Sequence, residues 1–427
     1  MSAVPVRPCP GSAASGAADA PRTAAAAPTP DEESAVTSSP SSPADRAARR
    51  RDRRVYTRSH PVLFALLAAT RRRTVTRFGG TVLVHGAQAY RQVLTRVPLD
   101  RTAAGTTGGA ARELSGGEGR MLFDQQGAGH RDTRRAVADS LGAAGVARLR
   151  PVWLEVLDRR LAPLGRGHDV DLVPLARELA GATVRALLGT AADPLAVADA
   201  AAEAAAAAVR DHLPGPGARG AARAAAAATA RLQSLLSPPG TRTGTENGTD
   251  AAADAGLRAV LAVAAVNTTV AALPRAAAWC ADAGLWGQAA DDRLRPDLVG
   301  ELLRVTAPSP LLPRVAAAGA DTTVDGCPVR AGDRLILVAR HAAGAHSDPP
   351  DALRPASPAV ARLVFGAGAH ACPGARLARA QLDDTLAALA PYRPYVVRAR
   401  ADRRAALPGW RSLTVRAAAG RGLPEES

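Results

Sequence analysis

The chain contains no lysine, so all 54 of its basic residues are arginine, and it has only two methionines. Aromatic residues make up 3% of the sequence, which leaves few rings to stack on bases and argues against a dedicated nucleic-acid binder. The four cysteines lie far apart and form no C-x-x-C pair. Their spacing therefore predicts neither a dense disulfide framework nor a structural zinc site.

The net charge of +15 is concentrated towards the N-terminal side of the chain. Between Asp45 and Arg77 stand eleven arginines and two aspartates, whereas elsewhere arginines and acids alternate as they do on solvated helix faces. The longest apolar run near the start, residues 61–70, is about half as long as a bilayer span requires. We therefore expect a cytoplasmic protein with no nucleic-acid partner and no membrane partner.

The order of composition and hydrophobic periodicity predicts one large domain. Residues 1–55 are rich in Ala, Pro, Ser and Arg and predict a disordered tail, residues 56–418 a globular domain, and residues 419–427 a second tail. The domain is predicted to be mainly α with a small β-sheet. Its expected elements include a hairpin over 73–86, helices over 172–188 and 375–389, a functional Gly-rich loop over 102–129, and one long buried helix over 251–284 with a kink near Pro274.

A Gly-punctuated segment, residues 365–374, delivers a single cysteine just ahead of a predicted helix. Gly366 and Gly368 let the backbone turn tightly. The N–H groups at a helix start are expected to lower the pKa of the Cys372 thiol and to favour the metal-binding thiolate. Taken alone, Cys372 could equally be a small apolar residue packed in a turn.

This segment resembles the haem-binding loop of the cytochromes P-450, F-G-x-G-x-H-x-C-x-G followed by L-A-R. The resemblance implies haem b as cofactor, with Cys372 as the protein ligand of the iron, Phe365 packed near the sulfur, and His370 reaching a haem propionate. It also implies the family's mainly helical, triangular fold. Every fixed position of the motif is present: Phe365, Gly366, Gly368, His370, Cys372, Gly374, Leu377, Ala378 and Arg379.

Further segments match family motifs in the expected order along the chain. Glu301 and Arg304 match the E-x-x-R helix motif, whose two side chains share a helix face and form a structural ion pair. The resemblance places Arg314 at a haem propionate. It gives the same role to His130 and Arg134, which match an H-x-x-x-R motif and face the same side of a helix.

Residues 264–268, A-A-V-N-T, match the family's oxygen-activation pattern A-[AG]-x-[DE]-T with one departure. Thr268 aligns with the threonine whose hydroxyl takes part in oxygen activation. Asn267 replaces the usual acid, and an amide cannot shuttle a proton as a carboxylate does. These two residues are the catalytic candidates, and Asn267 is the most informative departure in the chain.

The resemblance implies a haem-thiolate monooxygenase that uses O2 and receives its electrons from a ferredoxin and a ferredoxin reductase. Its expected substrate is a small organic molecule, an intermediate of natural-product biosynthesis. Asn267 keeps open a second reading, a peroxide-driven or non-hydroxylating oxidation such as ring closure or coupling. A third reading is a non-catalytic haem-binding or ligand-binding module, and the presence of Thr268 disfavours it.

Overall fold

The computed structural model describes residues 42–114, 125, 127–211, 218–237 and 248–418. This part of the chain is mainly helical, which confirms the predicted fold class. Its helices are α1 (Pro43–Ser59), α2 (Pro61–Thr70), α3 (Ala87–Arg96), α4 (Thr107–Leu114), α5 (Gly127–Leu141), α6 (Ala143–Gly165), α7 (Leu172–Leu188), α8 (Pro194–Asp211), α9 (Ala218–Leu236), α10 (Gly248–Ala283), α11 (Trp286–Ala290), α12 (Arg295–Thr306), α13 (Ala339–Ala342), α14 (Pro358–Ala361) and α15 (Ala375–Leu389).

The strands form three small sheets in the described part of the chain. One has five strands in the order β1-β2-β8-β5-β3, one has three in the order β4-β10-β9, and β6 pairs with β7. The strands are β1 (Val75–Phe78), β2 (Thr81–Val84), β3 (Leu99–Asp100), β4 (Val170–Asp171), β5 (Leu312–Ala316), β6 (Asp321–Val324), β7 (Cys327–Arg330), β8 (Arg334–Leu337), β9 (Tyr395–Ala401) and β10 (Trp410–Arg416).

Several predicted elements are confirmed. The predicted hairpin is β1 and β2, which pair antiparallel from Val75 opposite Val84 to Phe78 opposite Thr81. Gly79 makes the turn with φ of +56°, a backbone conformation that glycine adopts without steric cost. The predicted helices over 172–188 and 375–389 are α7 and α15, with the same bounds.

The long apolar segment forms α10, the central helix of the molecule. Within its residues 254–283 the most apolar 18-residue window has a mean hydropathy of 1.6, and this helix is long and apolar enough to cross a membrane by length and composition. It packs against α7, α8, α9, α12 and α15. Ala262, Val266, Ala276 and Trp279 are buried in these contacts. α10 therefore contributes to the core, as predicted for it.

The prediction of a disordered tail over residues 1–55 is wrong for residues 43–55, which lie in α1. Ala48, Asp52, Val55 and Tyr56 are buried at helical spacing against the body of the protein, so the helix has an inner face. Ser42 and Asp45 form a capping box at its start. Residues 1–41 and 419–427, the rest of the predicted tails, lie outside the described residues.

The predicted Gly-rich loop over 102–129 is also partly wrong. Residues 107–114 form α4, and α5 begins at Gly127. The Thr106 hydroxyl accepts a hydrogen bond from the N–H of Gly109 at 3.0 Å and so caps the start of α4. A Cβ on Gly109 would stand 2.3 Å from the carbonyl oxygen of Ala103, so the turn leaves no room for a larger residue. Residues 115–124 and 126 lie outside the described residues.

Candidate haem-binding site

Cys372 lies two residues before Gly374, the residue that precedes α15. Its N–H donates to the carbonyl oxygen of Phe365 at 2.8 Å, which closes the loop. Gly366 and Gly368 have φ of +76° and +71°, a region that favours glycine. The glycine spacing of the motif therefore has a local cause: two positions of positive φ turn the chain so that the backbone of Cys372 can close on Phe365.

The loop is held against α3. A Cβ on Gly368 would stand 3.2 Å from the carbonyl oxygen of Leu94 and 3.3 Å from the Thr95 side chain. Gly368 is therefore required both for its backbone conformation and for this close approach. The guanidinium of Arg379 lies over the Phe365 ring at 4.6 Å, which fixes the aromatic side chain under the loop.

The pKa of the Cys372 thiol is raised, although the sequence predicts that it is lowered. Desolvation by the surrounding protein raises the pKa. The N–H of Gly374 and the charges of Arg134 and Arg379 lower it by a smaller amount. By surface area Cys372 is exposed, although the protein atoms around its sulfur desolvate it. The helix start thus contributes in the expected direction, but desolvation outweighs it and favours the neutral thiol.

A cluster of basic side chains, His130, His370, Arg101 and Arg314, lies beside the cysteine loop. The rings of His130 and His370 stack with their centroids 3.9 Å apart. Burial and then the charge of Arg101, with His130, Arg314 and Arg134 after it, lower the pKa of His370 to about 3. Every charged neighbour that acts on His370 is positive, and no carboxylate of the described residues forms an ion pair with this cluster.

Two atoms of this basic cluster are buried without a hydrogen-bond partner among the described residues, Nε2 of His130 and Nε of Arg314. Native proteins rarely leave such donors unpaired. Burial and the charge of Arg101 lower the pKa of Arg314 to about 10. The donor set is therefore suited to an anionic group with several acceptor oxygens, such as a pair of carboxylates.

Three of the four residues that were predicted to bind propionates lie together, and the fourth, Arg134, binds the backbone of the cysteine loop. His130, His370 and Arg314 share the basic cluster. Nη1 of Arg134 instead donates to the carbonyl oxygen of Ala371 at 2.7 Å, which ties α5 to the cysteine loop. Arg101 was missed by the sequence analysis, because it belongs to no motif and follows a two-residue strand.

The segment that resembles the oxygen-activation motif presents two different faces of α10. Ala264 is exposed within a core helix and Thr268 is partly exposed one turn later, so these two residues share one accessible face of the helix, the Thr268 face. The Thr268 hydroxyl donates to the carbonyl oxygen of Ala264 at 2.8 Å. Asn267 lies on another face, where Nδ2 donates to the carbonyl oxygens of Val263 at 2.8 Å and Ala201 at 3.3 Å.

A cavity of about 410 Å³ lies on the Asn267 side of α10, between that helix, α7, α8 and the β9–β10 connection. Arg177 and Asp199 form an ion pair at 2.8 Å there, and Glu203 lines the same cavity. Asn267 therefore lies on the cavity side of α10, whereas Thr268 lies on the face that it shares with Ala264. Its amide ties α10 to α8 and carries no ionisable group.

Glu301 and Arg304 form the buried ion pair that the E-x-x-R motif predicts. Both residues are 2% exposed, and the Arg304 Nε lies 3.0 Å from each carboxylate oxygen. The Arg304 Nη1 also donates to the carbonyl oxygen of Gly344 at 3.0 Å, and the N–H of Ala356 donates to Glu301 at 2.9 Å. The pair thereby fixes the segment between β8 and the cysteine loop.

No protein-family model and no curated protein matches the chain. It is similar to the solved structure of the cytochrome P450 CYP109B1 from Bacillus subtilis, at 19% identity and a TM-score of 0.65, over 84% of this chain and 99% of that one. A mutant of P450 EryK in complex with erythromycin B matches at 23% identity and 0.66, over 86% and 98%. P450BioI in complex with an acyl carrier protein ligated to hexadec-9Z-enoic acid matches at 19% and 0.66, over 85% and 100%.

This chain has the cytochrome P450 fold. The identities are low, so the likeness concerns the fold, and the site must be judged from its own residues. The P450 fold implies haem, and the donor set here fits that group in two respects. Cys372 offers an exposed sulfur just before α15, and the basic cluster, two of whose nitrogens have no partner among the described residues, offers hydrogen-bond partners for two propionates.

Proposed function

We propose that this chain is a haem-thiolate monooxygenase that oxidises a small organic molecule. The observation that supports it most is the basic cluster without a carboxylate, which lies next to a single cysteine held at the start of α15. An iron porphyrin carries both charges that this arrangement lacks, a cation for the thiolate and two anions for the cluster.

Each named residue has a defined task in this proposal. Cys372 would ligate the iron, and His130, His370, Arg314 and Arg101 would hold the propionates. Bound here, haem supplies the redox chemistry by which dioxygen is activated. The protein would orient the group through these side chains. The Thr268 hydroxyl, which donates its proton to the carbonyl oxygen of Ala264, would offer its oxygen as an acceptor on the same face of α10.

The electrons would come from a ferredoxin and its reductase. Arg135 lies on α5 and Arg376 on α15, the two helices that hold the cysteine loop, and both side chains are exposed. Positive charge here would attract an acidic electron carrier and accelerate its association. We expect Arg376→Gln to slow reduction by ferredoxin at low salt and to leave binding of small molecules unchanged.

The substrate would be an intermediate of natural-product biosynthesis. EryK has been solved with erythromycin B and P450BioI with an acyl carrier protein, so proteins of this fold accept both free and carrier-bound molecules. Ala264 and Ala265 are small residues, so they would leave room for a substrate beside α10. A carrier-bound substrate would place a second protein partner on this chain.

A second candidate function follows from Asn267. Its amide donates to two backbone carbonyls and supplies no acid near Thr268. The missing acid favours a peroxide-driven or non-hydroxylating oxidation such as ring closure or coupling. Turnover with hydrogen peroxide in the absence of NAD(P)H and ferredoxin would favour this candidate over the first.

The deciding experiment is the absorbance spectrum of the reduced holoprotein with carbon monoxide. We expect the red-shifted Soret band that thiolate ligation gives, and we expect Cys372→Ser to lose that band. Cys280→Ser is the matched control, because Cys280 is a buried thiol in α10 outside the cysteine loop. A Soret position typical of histidine ligation, or a thiolate spectrum retained by Cys372→Ser, would contradict the proposal.

A further inference from the structure

The apolar helix α2 exposes most of its side chains to solvent. Val62 is 83% exposed, Leu66 45% and Leu63 37%, and these are three of the six large hydrophobic side chains that are exposed in the described part of the chain. Val62 and Leu66 lie one turn apart and share a face with Ala65 and Ala69. The inner face is small, since only Leu67 of α2 is buried.

The inner face of α2 shows how the helix is held in this position. Leu67 packs with Leu83 of β2 and Val338 behind β8, with Phe64 partly buried beside them. The Phe64 ring meets Tyr56 of α1 edge-on, with centroids 4.9 Å apart. The outward orientation of Val62 and Leu66 is therefore set by packing on the opposite side of the helix.

Exposed arginines flank this apolar face on both sides. Arg53, Arg54 and Arg58 precede it on α1, and residues 71–73, three consecutive arginines, follow α2 directly. None of these six side chains forms an ion pair with a described residue. The chain has no acidic residue between Asp52 and Asp100.

The acids that come near this stretch form no ion pair with its arginines. Asp52 is 4% exposed and pairs with Arg275 at 2.7 Å and with Arg340 at 3.3 Å. Asp325 accepts a hydrogen bond from the Thr74 hydroxyl, and Asp348 acts on His346, as Arg71 does. The six arginines therefore keep exposed charges that no described carboxylate contacts.

Contrary to the expectation from the sequence of no membrane partner, we propose that α2 and its flanking arginines form a docking surface for an anionic phospholipid membrane. An apolar face alone would fit another protein, and a basic patch alone would fit any polyanion. A helix that combines an exposed apolar face with arginines at both ends suits the boundary between headgroups and acyl chains, where both features are satisfied together. Long arginine side chains reach the phosphates while the helix lies in the interface.

This surface would bind reversibly and would not span the bilayer, because α2 has ten residues. It would hold the protein at the membrane without any change in its fold. The inference does not depend on the activity proposed above, since it rests on α1, α2 and their arginines alone.

The test measures co-sedimentation of the holoprotein with vesicles of phosphatidylcholine, with and without phosphatidylglycerol. We expect binding to the anionic vesicles to exceed binding to the neutral ones by at least about tenfold, and to fall as salt rises. We expect the double variant Val62→Ser, Leu66→Ser to lower binding by about tenfold. Leu353→Ser, at a 67% exposed position outside the surface, should bind like the unaltered protein.

A charge-matched pair of variants separates this surface from the net charge of the whole molecule. Arg71→Gln, Arg72→Gln, Arg73→Gln should weaken binding far more than Arg148→Gln, Arg166→Gln, Arg185→Gln, which removes three exposed arginines of the α6–α7 region. All substituted positions are exposed, so the folded state and the haem spectrum should be unchanged in every variant.

Three results would overturn the proposal. One is equal sedimentation with neutral and anionic vesicles. Another is unaltered binding by the Val62, Leu66 variant, which would leave a docking site for an acidic protein as the remaining use of the arginines. The third is concentration-dependent dimerisation that the same variant abolishes, which would assign this face to a second copy of the chain.

Discussion

Asn267 acts as a tether between two helices, and this explains why an amide occupies the position. Its Nδ2 donates to carbonyl oxygens of Val263 on its own helix and Ala201 on α8. A carboxylate cannot donate these bonds and would place negative oxygen atoms against the two carbonyls.

We therefore predict that Asn267→Asp destabilises the protein by about 1–3 kcal/mol. Asn267→Ala should cost less, because both carbonyl oxygens can still accept their own helical hydrogen bonds. Urea unfolding of the two variants at neutral pH measures the difference. An Asp variant as stable as the Ala variant would show that the tether contributes nothing.

Thr268 and Thr269 are adjacent hydroxyls with different surroundings, which makes one the control for the other. Thr268 lies on the accessible face of α10 and donates to Ala264 at 2.8 Å, whereas Thr269 contacts the Gln381 side chain at 3.4 Å on α15. We predict that Thr268→Ala raises the fraction of NAD(P)H oxidised to hydrogen peroxide, because it removes the hydroxyl to which the family resemblance assigns a part in oxygen activation. Thr269→Ala should leave this fraction unchanged. Equal coupling in both variants would mean that protons arrive by another route.

At the residue scale, motifs marked most of the residues that the folded chain brings together. His370, His130 and Arg314 share one cluster, and their role at a haem, like that of Cys372, stays a prediction. Arg101 carries no motif, and only the folded chain shows that it adds positive charge to the same cluster. The direction of the thiol pKa was wrong because a helix start can be seen in a sequence, but the degree of desolvation cannot.

The ion pair in α12 connects one helix to the segment that leads into the cysteine loop. We predict that Glu301→Ala lowers the free energy of unfolding by about 3–5 kcal/mol, because it leaves Arg304 buried and unpaired. Haem content should fall with it, since Arg304 and Glu301 hold the backbone at Gly344 and Ala356. Urea unfolding and the haem-to-protein ratio measure both effects.

The control for Glu301 is a pair with the same spacing and different burial. Asp132 and Arg135 on α5 are also three residues apart, with side chains 71% and 73% exposed. Asp132→Ala should change the free energy of unfolding by less than about 1 kcal/mol. Similar losses in both variants would show that burial does not set the strength of the Glu301 pair.

Elements with a strong pattern were predictable, and elements defined by distant contacts were not. α7 and α15 could be bounded because apolar periodicity begins and ends at their termini. α1 was misread because its many arginines hid four buried positions. Two of these, Asp52 and Tyr56, bind Arg275 and the carbonyl oxygen of Thr306, which lie more than 200 residues away. Burial alternates only weakly along β9, whose exposed side chains include arginines. This strand is therefore defined by its pairing with β10 and not by a pattern in its sequence.

At the scale of the whole molecule, positive charge is distributed unevenly and so are the histidines. Of the eight histidines, His85, His341 and His346 form a second cluster, which contains none of the haem-binding candidates. Nδ1 of His85 lies 2.9 Å from Nδ1 of His341, and the rings of His341 and His346 meet edge-on at 5.1 Å. One nitrogen of the closest pair must be unprotonated to accept the hydrogen bond.

Burial and the positive neighbours of this cluster favour its neutral form. Burial, followed by the charge of His346, lowers the pKa of His85 to about 4. Burial, followed by His85 and then by His346, Arg340 and Arg71, lowers the pKa of His341 to about 3. The groups that face His346 are Arg71, Arg340 and Arg49, which lower its pKa, and Asp348, which raises it.

These shifts predict a pH dependence of stability with a defined sign. The ordinary histidine pKa is 6.5. Between pH 6.5 and about 4 these histidines are therefore protonated in the unfolded chain and neutral in the folded cluster. The free energy of unfolding must therefore fall as the pH is lowered through this window, by up to about 3 kcal/mol for His85. We expect His85→Gln, His341→Gln to show a shallower decline than the unaltered protein in urea unfolding from pH 7 to pH 4.5, whereas His168→Gln, at an exposed position, should decline as steeply. The comparison between variants matters because carboxylates throughout the molecule also titrate near the lower end of this range. Parallel curves for the double variant and the unaltered protein would show that the cluster is already protonated in the folded state.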